Sequence, residues 1–291
     1  VTYSLAGRSA LITGASQGLG LAIARAYVAA GASVLVCARD GDLIERVGQE
    51  LASSAGPSQV VAAQQADVSS PDQVERMAAR ALGLFPHLDI LVNNAGICGP
   101  LGEVEATDWR EWVKTIEINL LGSVLAVRAV LPHMKSRRYG KIIQISGGGA
   151  TTPLPWISAY AASKAAVVRF AESLALEVRE HGIDVNAIAP GALNTRMMRA
   201  VLDAGPSAVG DAYFARMSRI ASEGGTPLEM GAGLATFLAA AESDGITGRL
   251  ISAPWDPWPD LPERRAALEG SDIYTLRRIT PADRGHAWGE K

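Results

Sequence analysis

The sequence predicts an α/β fold: a single-domain, doubly wound parallel sheet (Rossmann-like) with helices on both faces and an extra C-terminal tail. Three observations predict it. Short apolar runs alternate with helical patterns along most of the chain, no hairpin signal joins one run to the next, and the turns rich in glycine, asparagine or proline follow the runs. Strands separated by helices build parallel sheets, and such sheets bind ligands beyond the carboxyl ends of their strands. With 291 residues the chain can bury one large core. We place that domain at 1–254 and the tail at 255–291.

Residues 9–13 form the first run, which ends in Thr13-Gly14-Ala15-Ser16-Gln17-Gly18-Leu19-Gly20 before a helical pattern over 19–30. A strand, a glycine-rich turn and a helix N-terminus can together aim backbone amides at a phosphate, and glycine lets the backbone approach it. The second strand, 33–38, ends in Cys37-Ala38-Arg39-Asp40. An acid at this strand end suits the ribose of NAD, whereas an arginine suits the 2′-phosphate of NADP. With Ala38 in the acid's place, Arg39 favours NADP over NAD. Asp40 either reaches the ribose or caps the helix that starts near Gly41.

Strand three, 59–63, leads through Asp67-Val68 to a helix opened by Ser70-Pro71, where proline suits the first turn. Strand four, 88–92, ends in Asn93-Asn94-Ala95-Gly96. Residues 108–136 carry one helical period, with Asn119 beside its apolar face. Most asparagines so placed bond a neighbouring carbonyl. Strand five, 140–146, runs into Gly147-Gly148-Gly149 and a polar loop. The next helix holds Tyr160 and Lys164 and extends to about 179. Strand six, 183–189, ends at Pro190-Gly191, with Thr195 five residues after the proline. Residues 196–226 are rich in Met, Ala, Gly and Ser, and read as short helices forming a lid over a mouth or packed at a subunit contact. A last helix, 227–241, and a last strand, 249–253, complete the sheet. The tail holds Trp255, Trp258 and Trp288, which favours packing on the body or a neighbouring subunit.

Tyr160 and Lys164 are four residues apart, about one helical turn, and so share a face. A cation beside a phenol favours the phenolate and makes the tyrosine a better acid–base near neutrality. The composition excludes other classes. A net charge of −3 gives no basic excess for nucleic acid. Two cysteines, Cys37 and Cys98, make no disulfide framework and fit a reducing compartment. No segment reads as a bilayer span or a signal peptide and no metal ligand set is read, so a cytoplasmic, membrane-free, metal-free protein is expected.

Together these motifs resemble those of the short-chain dehydrogenase/reductase family, over about 5–253. The resemblance implies that Gly14, Ser16, Gln17, Gly18, Leu19 and Gly20 form the cofactor turn and that Asp67 and Val68 lie beside the adenine. It further implies that Asn94, Ala95 and Gly96 close strand four, and that Pro190, Gly191, Leu193 and Thr195 form the nicotinamide-side loop. Tyr160, Lys164 and Asn119 would be catalytic: Tyr160 passes a proton to or from the substrate oxygen, Lys164 holds the cofactor ribose and lowers the Tyr160 pKa, and Asn119 supports a water-borne proton path. Arg39 matches the NADP-preferring members, while Gln17 stands where many of those carry a second basic residue. A homodimer or homotetramer acting on a small molecule is implied.

The family's catalytic serine, thirteen residues before the tyrosine, falls here at Gly147, with Ser146 just before it. A hydroxyl donor at that place contributes roughly 3–4 kcal/mol where such donors have been removed. Ser146 could turn inward, Thr151, Thr152 or amides of the glycine run could replace the hydroxyl, or the chemistry could dispense with it. Ser146, Gly147, Cys98, Trp156 and Met198 are the residues expected to meet substrate. An oxidoreductase acting on a ketone or secondary alcohol leads. An epimerase, dehydratase or cyclase with no net redox change, and a cofactor-binding regulatory protein, are the alternatives.

Overall fold

A computed structural model describes residues 3–288. Seven parallel strands, β1 (Ser9–Thr13), β2 (Ser33–Ala38), β3 (Val61–Gln65), β4 (Ile90–Asn93), β5 (Gly140–Ile145), β6 (Ile183–Ala189) and β7 (Leu250–Ser252), lie in the order β3-β2-β1-β4-β5-β6-β7. The strands are apolar on both faces because both are covered. On one face Ile12, Val34, Val36, Ile143 and Ile145 meet α1 (Gly18–Ala29), α2 (Gly41–Ser54) and α10 (Leu228–Ala239). On the other, Leu11, Leu35, Leu91, Ile142 and Val185 meet α3 (Pro71–Leu84), α5 (Gly122–Arg137) and α6 (Ser158–Val178). The chain leaves β1 toward one edge and returns at β4 to build the other, so the cleft beyond β1 and β4 is the switch point of the sheet.

Strand four begins at Ile90 rather than 88, and three further differences from the sequence reading bear on the argument. Strand three begins two residues later than expected, at Val61. Gln59 is held in the preceding loop, its Nε2 donating to Val28 O (2.9 Å) and Ala32 O (2.6 Å) while its Oε1 accepts from Gly56 N (2.6 Å). The single helix expected over 108–136 is α4 (Trp109–Ile116), a π-helical turn (Glu117–Leu121) and α5. The third difference concerns the same stretch, Trp109–Arg137. Its best window has a mean hydropathy of 1.4, and by length and composition it could cross a bilayer, contrary to the expectation that no segment could. Much of that apolarity serves packing: Ile118, Ala126, Val127, Val130 and Met134 are buried in the second layer.

Residues after β6 form α7 (Arg196–Ala204), α8 (Pro206–Val209) and α9 (Asp211–Glu223), which enclose a small core of Met198, Val201, Val209 and Met217. Cys98 and Leu101, from the segment after β4, pack into the same cluster. In the tail, Trp258 lies against Phe237 and Tyr3, at centroid distances of 5.7 and 6.4 Å. Trp255 and Trp288 do not follow it: they are 74% and 76% exposed.

Candidate active site

The turn after β1 and the segment after β4 are locked together. Thr13 Oγ1 accepts from Asn94 N and Ala95 N, both at 3.1 Å. The Asn94 amide donates to Thr13 O (3.0 Å) and Gly14 O (2.9 Å). Gly14 has φ +65°, and a Cβ there would lie 2.7 Å from Ala95 Cα; a Cβ on Gly20 would overlap Asn94 Nδ2. Both positions therefore require glycine. Asn94 holds the turn, and Gly96 touches the catalytic candidates: a Cβ on it would lie 3.2 Å from Asn119 Oδ1 and 3.5 Å from Lys164 Nζ.

Among the described residues no side chain caps the N-terminus of α1, whose N-cap is Gln17 in extended conformation, so its first-turn amides are free to meet an anion. Ser16 and Gly18 are partly exposed and Gln17 is exposed, while Leu19 is buried in the first layer. Gly18, at φ +58°, faces the Thr195 methyl carbon, which would lie 3.6 Å from its Cβ. The loop after β6 thus arches over the glycine turn, with Pro190 beside α10, Gly191 at φ +88° and Leu193 packed on the first layer. Arg39 is exposed at the end of β2. Asp40 caps α2, its Oδ1 accepting from Leu43 N at 2.9 Å, which assigns it the capping role rather than the ribose. Asp67 Oδ1 accepts from Ser69 N (2.9 Å) and Ser69 Oγ (2.7 Å), and Val68 is buried against Gly122.

Lys164 is 4% exposed, and its ammonium donates to Ile145 O at 2.8 Å, leaving two protons uncommitted. Burial lowers its pKa to about 8. The ammonium stands 5.7 Å from the centre of the Tyr160 ring. The expected lowering of the Tyr160 pKa is reversed here. Burial pushes the phenol up, and Cys98 and Tyr213 push it further. Desolvation of a phenolate outweighs a cation that is itself desolvated and turned toward a backbone carbonyl.

Asn119 sits in the π-helical turn and is fully engaged by protein. Its Oδ1 accepts from Ile97 N (2.8 Å), and its Nδ2 donates to Ile97 O (3.0 Å) and Ser163 Oγ (2.9 Å). Ser163 Oγ in turn donates to Tyr160 O at 2.7 Å. Asn119 thereby ties the segment after β4 to the first turns of α6.

At Gly147 a Cβ would overlap the Tyr160 hydroxyl oxygen, so the phenol fills the space a side chain there would take. Ser146 extends the β5 ladder, its N–H donating to Ile188 O, and alternation places it on the same face as Ile142 and Gln144. Its hydroxyl is sealed from solvent and bonds no group among the described residues. Thr151 and Thr152 are exposed. Cys98 is partly buried, its thiol pushed up to about 11 by burial. Met198 is buried in the small core that α7, α8 and α9 enclose. Trp156, at φ +61° and 39% exposed, sets its ring 2.7 Å from where a Cβ of Gly210 would be. Tyr213 was not among the expected site residues. The available signal was its spacing of four from Met217 on one face of a helix.

A family model described as short chain dehydrogenase matches residues 8–205. Oxidoreductase UcpA of Salmonella typhimurium is 38% identical over 251 residues, covering 84% of this chain and 92% of that protein. The crystal structure of levodione reductase superposes with a TM-score of 0.77 at 29% identity, over 85% of this chain and 96% of that one. A candidate NAD(P)-dependent gluconate 5-dehydrogenase from Beutenbergia cavernae, with NADP bound at low occupancy, gives 0.75 at 31% identity, over 87% and 97%.

Proposed function

The chain belongs to the short-chain dehydrogenase family and is an oxidoreductase of that family, and on this premise we propose that it transfers hydride between NADP(H) and a ketone or secondary alcohol, with Tyr160 as acid–base. One observation carries the reading. A buried ammonium with two free protons, a partly buried phenol and an uncapped helix N-terminus converge on the cleft at the sheet's switch point.

The residues there fit a dinucleotide. Gly14 and Gly20 leave no room for side chains, the α1 amides of Gly18, Leu19 and Gly20 suit a pyrophosphate, and Lys164 suits ribose hydroxyls. Ser16, Gln17, Asp67, Val68 and the 190–195 loop line the remaining path. A nicotinamide dinucleotide held there supplies or accepts the hydride. Tyr160 keeps its proton at neutral pH because burial raises its pKa, and so gives that proton to the substrate oxygen in the reducing direction. Asn119 acts by position, fixing α6 through Ser163. Arg39, exposed at the end of β2, supports NADP over NAD, as does the NADP carried by the Beutenbergia cavernae protein. Exposed Trp109, Leu121 and Leu176 on α4, the π turn and α6 support self-association as a dimer or tetramer, which light scattering reads directly.

The test follows nicotinamide absorbance with NADPH and NADH over ethyl acetoacetate, levodione and 5-ketogluconate. Tyr160→Phe should cut turnover roughly 100- to 10,000-fold; unchanged turnover overturns the mechanism. Arg39→Ala should weaken NADPH about tenfold or more with little effect on NADH; equal effects remove the NADP assignment. Because Gly147 brings no hydroxyl to Tyr160, a second reading is chemistry without net redox change. Its signature is product formed at constant nicotinamide absorbance.

A further inference from the structure

We propose that Trp156 is a latch: its ring docks on the tip of a hinged flap, residues 192–226, and holds that flap over the cleft while substrate is bound. This rests on the cleft being the reaction site and goes beyond the hydride-transfer reading, since it concerns entry to the site rather than the chemistry inside it.

The flap has one stem. Its two ends meet where Thr226 N donates to Ala192 O at 2.9 Å, and a Cβ on Gly225 would lie 2.8 Å from the same carbonyl oxygen. Gly191, Gly224 and Gly225 bracket the stem, at φ +88°, +92° and +70°. Residues at the ends of elements absorb the φ/ψ changes of a hinge, and glycine does so at least cost. Just past the stem, Thr195 lies against Gly18 of the glycine turn. Between the two ends run α7, α8 and α9, which share a small core distinct from the two layers packed on the sheet.

Gly210, at the junction of α8 and α9, stands near the middle of this stretch and so farthest along the chain from the stem. There the flap meets Trp156. A Cβ on Gly210 would lie 2.7 and 2.9 Å from two carbons of the indole, so the ring rests on bare main chain. Trp156 belongs to the loop before α6, and its carbonyl accepts from Gly102 N at 2.9 Å. Cys98 and Leu101, of the same segment after β4, pack into the flap's core. The flap therefore runs from a stem after β6 to a dock built by the segments that follow β4 and β5, and the cleft opens among these strand ends.

Trp156 holds φ +61°, left-handed backbone that a bulky residue seldom adopts. Such conformations persist where surrounding contacts impose them, and they gather at ligand clamps and switches. Here the Gly102 bond and the Gly210 contact impose it. Undocking removes the second contact and lets the backbone relax, which favours release. The residue is 39% exposed, so its ring has room to swing into solvent. A docked flap excludes water during the reaction, and a released one lets substrate and product exchange.

Gly210→Ala tests the latch by filling the place of the ring, with Gly205→Ala as its control. Gly205, between α7 and α8, has the same φ of +77°, but nothing lies within 4 Å of its Cβ position, so alanine there brings similar backbone strain without the collision. Trypsin reads the flap directly, because Arg196, Arg199, Arg216 and Arg219 all lie on it. Gly210→Ala should speed cleavage at those arginines about tenfold as the open population rises. It should raise KM for the best carbonyl of the panel above by about the same factor, with NADPH affinity within about twofold of wild type. Gly205→Ala should match wild type in both assays. Trp156→Ala should reproduce the effects of Gly210→Ala, and the double variant should add little to either, because both remove one contact. Equal behaviour of Gly210→Ala and Gly205→Ala overturns the proposal, as do additive effects in the double variant. Failure of the hydride-transfer reading is distinct, because it shows as no turnover of any carbonyl and leaves the trypsin result standing.

Discussion

Lys164 shows how a single buried charge is visible in solution. Its pKa of about 8 lies below the ordinary 10.5, so between those values the unfolded chain binds more protons than the folded one. Stability therefore rises with pH across that window, and below about pH 8 the full cost of burying the ammonium is present. At about 1.4 kcal/mol per pH unit, wild type should gain about 2 kcal/mol over Lys164→Met between pH 7.5 and pH 10. Urea unfolding at the two pH values checks this, and an equal pH response in both proteins would contradict the buried ammonium. The pair Tyr160 and Lys164 was legible from spacing alone, because one helical turn is a local property. The direction of the Tyr160 shift was not, since it depends first on burial by the folded chain and then on Cys98 and Tyr213, which come from distant segments.

At the scale of the element, β5 carries an apparent flaw. Gln144 is fully buried between Asn93 of β4 and Ala187 of β6, and neither amide atom bonds any group among the described residues. An unsatisfied buried amide costs about 1–3 kcal/mol, and methionine nearly matches its volume. Gln144→Met should therefore stabilise the fold by about 1 kcal/mol, raising Tm by about 2 °C. Calorimetry decides, and a lower Tm would mean that the amide is satisfied in solution. Element types were legible in the sequence because burial on two faces writes continuous apolar strands and periodic helices. Two boundaries were hidden by side chains acting out of pattern. Gln59 latches a loop while sitting in an apolar run, and the π turn at Glu117–Leu121 keeps the apolar face intact while adding a residue to one turn. Strand-end motifs were readable because close approach dictates their residue types: Gly14 and Gly20 lie against Ala95 and Asn94 of the segment after β4, and Asn94 bonds Gly14 O, so each strand end carries its own fixed signature even though the partners are far apart in sequence.

For the whole molecule, the tail decides what happens at the open edge of the sheet. An unpaired edge strand is a template for aggregation, and here Leu250 N of β7 donates to Tyr274 O at 2.8 Å. Arg249 makes the strap. It is 8% exposed, and its guanidinium donates to Ser271 O (2.9 Å), Ile273 O (2.6 Å) and Leu268 O. On α6, Glu172 accepts from Leu276 N at 2.6 Å, and Arg169 pairs with Glu172 and donates to Leu276 O. None of this was legible from the tail, whose tryptophans pointed to packing but not to a buried arginine one strand away. Arg249→Ala removes the donor from three carbonyls at once. Hydrogen bonds to charged groups contribute about 1.5–3 kcal/mol each, and shared desolvation makes the sum smaller than three such terms, so a loss of about 2–4 kcal/mol is expected. Denaturant unfolding measures the loss, and limited proteolysis should cut first within 255–288. Arg277→Ala serves as the comparison. Arg277 is exposed and, among the described residues, pairs within the tail with Asp272 and Asp283, so its loss should leave both measurements nearly unchanged. If the two variants behave alike, the strap does not hold the tail and the β7 edge is covered by other means.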